Sequence, residues 1–133
     1  MNDIYLRSST SVSLINYHFV FCPRYRKKIF QIPGVEERFK SLVAIECKKN
    51  GVSILAMECH IDHVHMFLQG CPSMAPSFMM KHIKGTTSRW LRQEFPALAR
   101  MPSLWSRSYF VSTAGNISSE AIKRYVETQK TRS

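Results

Sequence analysis

Hydrophobic residues change their period several times along this chain, and each change marks a new element. From Val12 to Cys22 the run VSLINYHFVFC is dense in aromatic and β-branched residues, which predicts a strand. A basic segment, PRYRKKIF, follows it, and Pro33-Gly34 marks a turn. In VEERFKSLVAIECKKN, Val35, Phe39, Leu42, Val43 and either Ile45 or Glu46 recur at helical spacing. Asn50-Gly51 stops that helix, and VSILAMEC reads as a second strand. His60 to Asp62 make a short connection to a third strand over His63 to Gln69, so the two strands form an antiparallel hairpin.

Pro72 and Pro76 lead into a long helix from Ser77 to Phe95, whose apolar side is Met80, Ile83, Thr87, Trp90 and Leu91. Gly85 weakens it by up to about 1 kcal/mol relative to Ala. Pro96 and Pro102 bracket a loop, and a fourth strand is expected from Arg107 to Thr113. Ala114-Gly115-Asn116 turns the chain into a last helix, with Ser118 as its N-cap and Glu120 in its first turn. The order β-α-β-β-α-β-α begins with the split βαβ pattern, so an α+β ferredoxin-like βαββαβ antiparallel sheet is expected, with an added C-terminal helix. One domain over residues 1–133 accounts for all of it, with residues 1–10 polar and loose. Helices on one face of such a sheet leave the other face for a substrate or a second subunit.

Charge changes this picture. The chain has 19 Lys and Arg against 9 Asp and Glu, a formal net charge of +10. So strong a bias in a short chain points to a polyanionic partner. Arg24, Arg26, Lys27 and Lys28 crowd one loop around Tyr25. Lys81, Lys84, Ser88 and Arg92 form a stripe on the long helix, with Arg89 beside it. Such runs are commonly solvated faces. Here acids do not compensate them, and they are read as phosphate contacts with bases stacking on nearby rings. No stretch reaches the roughly 18 apolar residues of a membrane span. The N-terminus lacks the apolar core of a signal peptide, so a cytoplasmic protein with no membrane partner is expected. The four cysteines form no CxxC pair and read as packing residues.

Two groups of residues carry candidate chemistry. Strand alternation puts His63 and His65 on one face, with Val64, Met66 and Leu68 on the other. Two imidazoles on a stiff strand make a metal pincer, although a pair of hydrogen-bonded histidines fits the pattern equally. Asp62 precedes them, and three of the five histidines fall within residues 60–65. On the last helix, Ile122, Tyr125, Val126 and Gln129 share one face. A helical tyrosine is commonly core, but a phenol and an amide on one buried stripe are odd for packing alone. A phenol has a pKa near 10, so as a nucleophile it needs a cation beside it or beside its target. A metal on the histidines could supply one, with the Gln129 amide oxygen as a third ligand. There is no GxxxxGK[ST] loop, and no nucleotide cofactor is expected.

The strand DHVHMFLQ resembles the His-hydrophobic-His strand of the single-tyrosine HUH transposases of insertion-sequence family 200/605. HIKGTTSRWL at 82–91, LWSRSYFVSTAG at 104–115 and IKRYVETQ at 122–129 continue the resemblance in order. It implies a DNA transposase that cleaves and rejoins single-stranded DNA at hairpin-bearing ends through a 5′-phosphotyrosine. It makes Tyr125 the nucleophile and His63, His65 and Gln129 the ligands of Mg²⁺ or Mn²⁺. It also implies a homodimer in which the tyrosine helix of one subunit can serve the histidines of the other. Fewer residues follow Tyr125 here than in many relatives, which leaves the cis or trans placement of that helix open. Alternatives are a non-catalytic hairpin-binding protein, a domesticated relative acting on chromosomal hairpins, and a replication or relaxase nickase, which usually has a longer chain.

Overall fold

The computed structural model describes residues 14–113 and the backbone of 119–129, with side chains from Arg124 to Gln129. Four strands build one antiparallel sheet: β1 (Ile15–Phe21), β2 (Ser53–Cys59), β3 (Val64–Gly70) and β4 (Phe110–Ser112). Their order in the sheet is β2-β3-β1-β4. With α1 (Val35–Lys49) between β1 and β2, and α2 (Pro76–Glu94) between β3 and β4, this is the expected ferredoxin-like α+β architecture. A one-turn helix, α3 (Pro96–Ala99), follows α2, and α4 (Ser119–Thr128) carries the tyrosine.

Alternation decides the layers. Val64, Met66 and Leu68 of β3 and Phe19 and Phe21 of β1 are fully buried beneath α1 and α2. Val35, Phe39, Leu42 and Val43 close the core from α1, and Met79, Met80, Ile83 and Leu91 close it from α2. Of the two alternatives at the end of the α1 stripe, Glu46 is the buried one and Ile45 is 57% exposed. The Glu46 carboxylate accepts bonds from Thr86 Oγ1 (2.8 Å) and Asn50 Nδ2 (2.9 Å), which makes its burial tolerable. Trp90 departs from expectation: it is 37% exposed and stacks beneath Arg89 instead of entering the core. Met79 takes the inward position on α2 in its place.

The largest difference lies before β4. The strand was expected from Arg107, but it begins at Phe110. The Lys84 ammonium, reaching up from α2, donates to the carbonyls of Ser106 (2.8 Å) and Ser108 (2.9 Å). Those carbonyls are thereby withdrawn from the ladder. Just upstream, Arg24 N–H donates to Leu104 O and Ser106 N–H to Cys22 O, so the segment is stitched to the end of β1 instead. The expected loop between Pro96 and Pro102 contains α3, which Pro96 starts from the first helical position. The candidate cap Ser118, the turn 114–116, residues 1–10 and the side chains of Glu120, Ile122 and Lys123 lie outside the described residues.

Candidate active site

Cross-strand pairing fixes what stands on the open face of the sheet. Val20 of β1 lies opposite His65 of β3 on one side and Phe110 of β4 on the other. Glu58 of β2 completes this row beyond His65. His18 stands in the next row, between Phe67 and Ser112. The helices cover the opposite face, so these side chains form the floor of a separate site.

Three imidazoles converge at one end of this floor. The ring centroids of His60 and His63 are 4.5 Å apart, those of His60 and His65 5.0 Å, and those of His63 and His65 5.1 Å. Among the described residues, each of the three offers a donor nitrogen within 4.8 Å of the others. A tight turn makes this possible, since His60 N–H donates to His63 O at 2.8 Å and folds His60 back over the strand. His65 and His63 were expected here. His60 was noted only as part of the local histidine density.

A second layer of contacts fixes the rings. Asp62 Oδ1 lies 3.0 Å from His63 Nδ1, and its Oδ2 accepts two bonds from Arg26, at 2.9 and 2.6 Å. Such a carboxylate fixes the tautomer and aims the other nitrogen outward. Burial favours a neutral Asp62 carboxyl, but the bonds to His63 and Arg26 outweigh it and hold the pKa below the ordinary value. Arg26 reaches Asp62 from an unusual backbone: Tyr25 and Arg26 both have positive φ, 56° and 55°. Left-handed geometry costs a non-glycine residue about 1–3 kcal/mol, and here it points the guanidinium at the site.

All three rings of the β1–β3 floor favour the neutral form. Burial lowers the His65 pKa to about 4, and the neighbouring His63, His60 and His18 push the same way. Burial also lowers His63, against the pull of Asp62, and lowers His18, against Glu58. Neutral imidazoles are the ligating form, so the donor set fits a divalent cation.

The tyrosine cluster stands on the same floor. Val126 of α4 buries itself against Val20 and Cys22, with Phe110 and Tyr125 packed around them. The Tyr125 ring meets Phe110 edge-on at 6.1 Å. Its hydroxyl lies 3.2 Å from Ser108 Oγ, which donates to Gln129 Oε1 at 3.0 Å. Gln129 is 1% exposed, and its amide nitrogen donates to Thr128 Oγ1. Ser108 was not anticipated as a site residue. The SRSYFVST segment around it gives no signal for a site residue, and the Lys84 clamp places it. α4 docks on the open face of the sheet, where Val20 and Cys22 provide an apolar seat. Burial holds the Cys22 thiol neutral, its pKa raised to about 12, in keeping with a packing role.

The expected phosphate contacts divide into two sets. Lys84 and Arg92 turn inward, Lys84 onto Ser106 and Ser108 and Arg92 onto Met101 O at 2.7 Å. Arg26 is engaged with Asp62, and Arg24 donates to Ser103 Oγ at 2.9 Å while stacking on Tyr25. Lys27, Lys28, Lys81 and Arg89 remain on the surface. Lys81 and Arg89 line the groove between α1 and α2 with Arg38 and Lys49. Lys27 and Lys28 border a second cavity with Arg100.

Comparison with known proteins identifies the family. The family described as "Transposase IS200 like" matches residues 11–129. The transposase for insertion sequence element IS200 of Salmonella typhimurium is 36% identical over 117 residues, covering 85% of this chain and 75% of that protein. The ISDra2 transposase TnpA of Deinococcus radiodurans is 28% identical over 118 residues, covering 86% and 84%. A crystal structure of a candidate transposase from Deinococcus radiodurans R1 superposes with a TM-score of 0.84 at 26% identity, over 93% of this chain and 97% of that one. A REP-associated tyrosine transposase, solved bound to a REP hairpin, shares the fold at a TM-score of 0.57 and 11% identity, over 85% and 62%.

Proposed function

The chain belongs to the IS200-like transposase family and is a DNA transposase, and we propose that it cleaves and rejoins single-stranded DNA through a covalent link to Tyr125. One observation carries this reading: the helix bearing Tyr125 packs on the sheet face that holds the histidines. Val20, which seats the helix, is the cross-strand neighbour of His65. One further strand spacing, about 5 Å, leads to Phe110 beneath the tyrosine ring.

A phosphodiester laid between the two clusters would meet the phenol on one side and the imidazoles on the other. The Tyr125 oxygen forms a bond to phosphorus, and the bond from phosphorus to the 3′ oxygen breaks. The 3′ oxygen leaves with a proton as a hydroxyl, and the 5′ phosphate stays on the tyrosine. Ser108 Oγ accepts from the phenol and donates to Gln129, so it aims the hydroxyl, whose proton passes to solvent as the bond to phosphorus forms. Asp62 and Arg26 keep His63 oriented. A divalent ion, Mg²⁺ or Mn²⁺, held by His63, His65 and a third group, would supply Lewis-acid polarisation of the phosphoryl oxygen. The phosphotyrosine keeps the bond energy, so a free 3′ hydroxyl can reverse the step and join strands without a nucleotide cofactor.

The substrate we infer is single-stranded DNA flanked by hairpins, with Lys27, Lys28, Lys81 and Arg89 as phosphate contacts. Incubation with labelled single-stranded DNA and a divalent ion should give a covalent adduct on a denaturing gel. Tyr125→Phe should abolish the adduct and leave DNA retention nearly unchanged. An adduct that survives in this variant would move the nucleophile elsewhere, with Tyr25 next in line.

A further inference from the structure

Away from the histidines, one cavity combines positive charge with an apolar floor. It lies between the loop after β1 and α3 and has a volume of about 430 Å³. Lys27, Lys28 and Arg100 border it, around a floor that includes Ile29, Leu98 and Met101. All three cations are exposed. Among the described residues, no acid lines the cavity and no ion pair engages any of the three. We propose that this cleft holds an unpaired nucleotide of the DNA strand, its phosphates on Lys27, Lys28 and Arg100 and its base on the apolar floor, which deepens the single-stranded-substrate reading above and rests on it.

Hydrogen bonds and core contacts hold the walls of the cleft. Ile29 and Leu98 are buried parts of the core, so the floor is fixed. Ile32 N–H donates to Ile29 O (3.1 Å) and Lys27 N–H to Arg24 O (3.2 Å), which secures the loop wall. On the other wall, Arg92 Nη2 donates to Met101 O (2.7 Å) and ties the chain after α3 to α2. Arg24 Nη1 donates to Ser103 Oγ (2.9 Å) and joins the two walls. Lys27 and Lys28 directly follow Arg26, whose guanidinium grips Asp62 beside His63. With about 3.8 Å between successive Cα atoms, the backbone of Lys28 lies within about 8 Å of that of Arg26. A strand cleaved at the active centre can therefore continue into the cleft.

Charge and shape select this occupant. Three cations without an acid attract a polyanion. A cavity of this size suits a group as small as a nucleotide. In a duplex the bases are paired and stacked, so their faces cannot reach an apolar floor. An unpaired nucleotide offers both a base face and a phosphate. An acidic peptide would satisfy the cations but leave the floor unfilled. Tyr25, on the same loop, is 46% exposed with the Arg24 guanidinium over its ring, and it offers a neighbouring base a surface for stacking.

The test measures binding of the full chain by fluorescence anisotropy, in chelator so that nothing is cleaved. Two probes are compared: an oligodeoxythymidylate of about 20 nucleotides and a DNA hairpin without single-stranded tails. The variant Lys27→Gln/Lys28→Gln/Arg100→Gln should bind the oligonucleotide at least about tenfold more weakly at about 0.15 M salt. Its salt slope should fall by about two, at about 0.7 per phosphate contact. Its affinity for the hairpin should stay within about threefold of the parent's. Arg100→Gln alone should lower the slope by about 0.7, and Arg100→Lys should restore it. Met101→Gln should weaken oligonucleotide binding several-fold with no change of slope, because it alters the floor and not the charge. Circular dichroism checks the fold of each variant. Parent-like binding of the oligonucleotide by the folded triple variant would overturn the proposal. So would an equal loss on both probes, which would mark a general effect of charge, or unchanged affinity in Met101→Gln. Adduct formation separates the two readings. A parent that binds as described but forms no adduct on Tyr125 loses the covalent reaction and keeps the cleft. A parent that forms the adduct, while the triple variant binds single strands equally well, keeps the reaction and loses the cleft.

Discussion

Asp62 shows how a single charge can govern the site. It bonds His63 through one oxygen and Arg26 through the other. Asp62→Asn keeps the shape but removes the charge that fixes the imidazole. Mn²⁺ affinity should fall about tenfold by calorimetry; unchanged affinity would mean that the turn alone orients His63. Lys84 presents the opposite case, a cation set inside the fold. Burial lowers its pKa to about 8 from an ordinary 10.5, against a smaller upward pull from Cys22. The folded value lies below the unfolded one, so between pH 8 and 10.5 the unfolded chain binds more protons. Stability from this group therefore rises as pH rises through that window, by up to about 1.4 kcal/mol per pH unit. A neutral amine retains two donors for the Ser106 and Ser108 carbonyls. Lys84→Met should be less stable at every pH, because it strands both carbonyls, and it should lack this extra rise. Denaturant titrations of both proteins at pH 8 and 10 measure the difference, and equal slopes would contradict it.

The strands and helices differ in how openly the sequence announces them. β3 was legible because Val64, Met66 and Leu68 alternate against His65, Phe67 and Gln69, and burial enforces that alternation. The pincer of His63 and His65 followed from the same period. His60 did not, because a turn has no period and its ring is placed by one backbone bond. Nor could the helical stripe reveal that Lys84 and Arg92 turn inward while Lys81 and Arg89 do not. That division depends on the segment from Met101 to Ser108, which supplies carbonyls to both inward cations. The same segment shortens β4 and delivers Ser108 to the tyrosine. α4 is attached by a small cluster, Val126 on Val20 and Cys22. Val126→Asp should detach it at the expense of that contact alone, since burying an unpaired carboxylate there is unfavourable. Adduct formation should fall at least about tenfold. The main thermal transition should change little, because the core beneath α1 and α2 does not include Val126. A matching loss of metal affinity would tie α4 to the ligand set.

In the whole molecule, the two faces of the sheet divide the labour. One is sealed by α1 and α2 and sets stability. The other carries the histidines, and α4 lies on it beside β4, so one chain brings Tyr125, Ser108 and the imidazoles to the same floor. The family resemblance implies a homodimer in which helices could be exchanged. The placement of α4 on its own sheet corresponds to the other arrangement, in which each chain completes its own site. Mixing Tyr125→Phe with His63→Ala subunits distinguishes the two arrangements. If sites are complete within a chain, every chain in the mixture lacks either the nucleophile or a ligand, and cleavage should not return. If helices are exchanged, a mixed dimer has one site with both defects and one with neither, and about half of a dimer's activity should reappear in that species. Subunit exchange must be demonstrated in the same samples, by tagging one variant and recovering the other with it. Recovery of adduct formation under those conditions would show that α4 leaves the seat formed by Val20 and Cys22 to serve a partner. Its absence, with exchange proven, would establish the single-chain site.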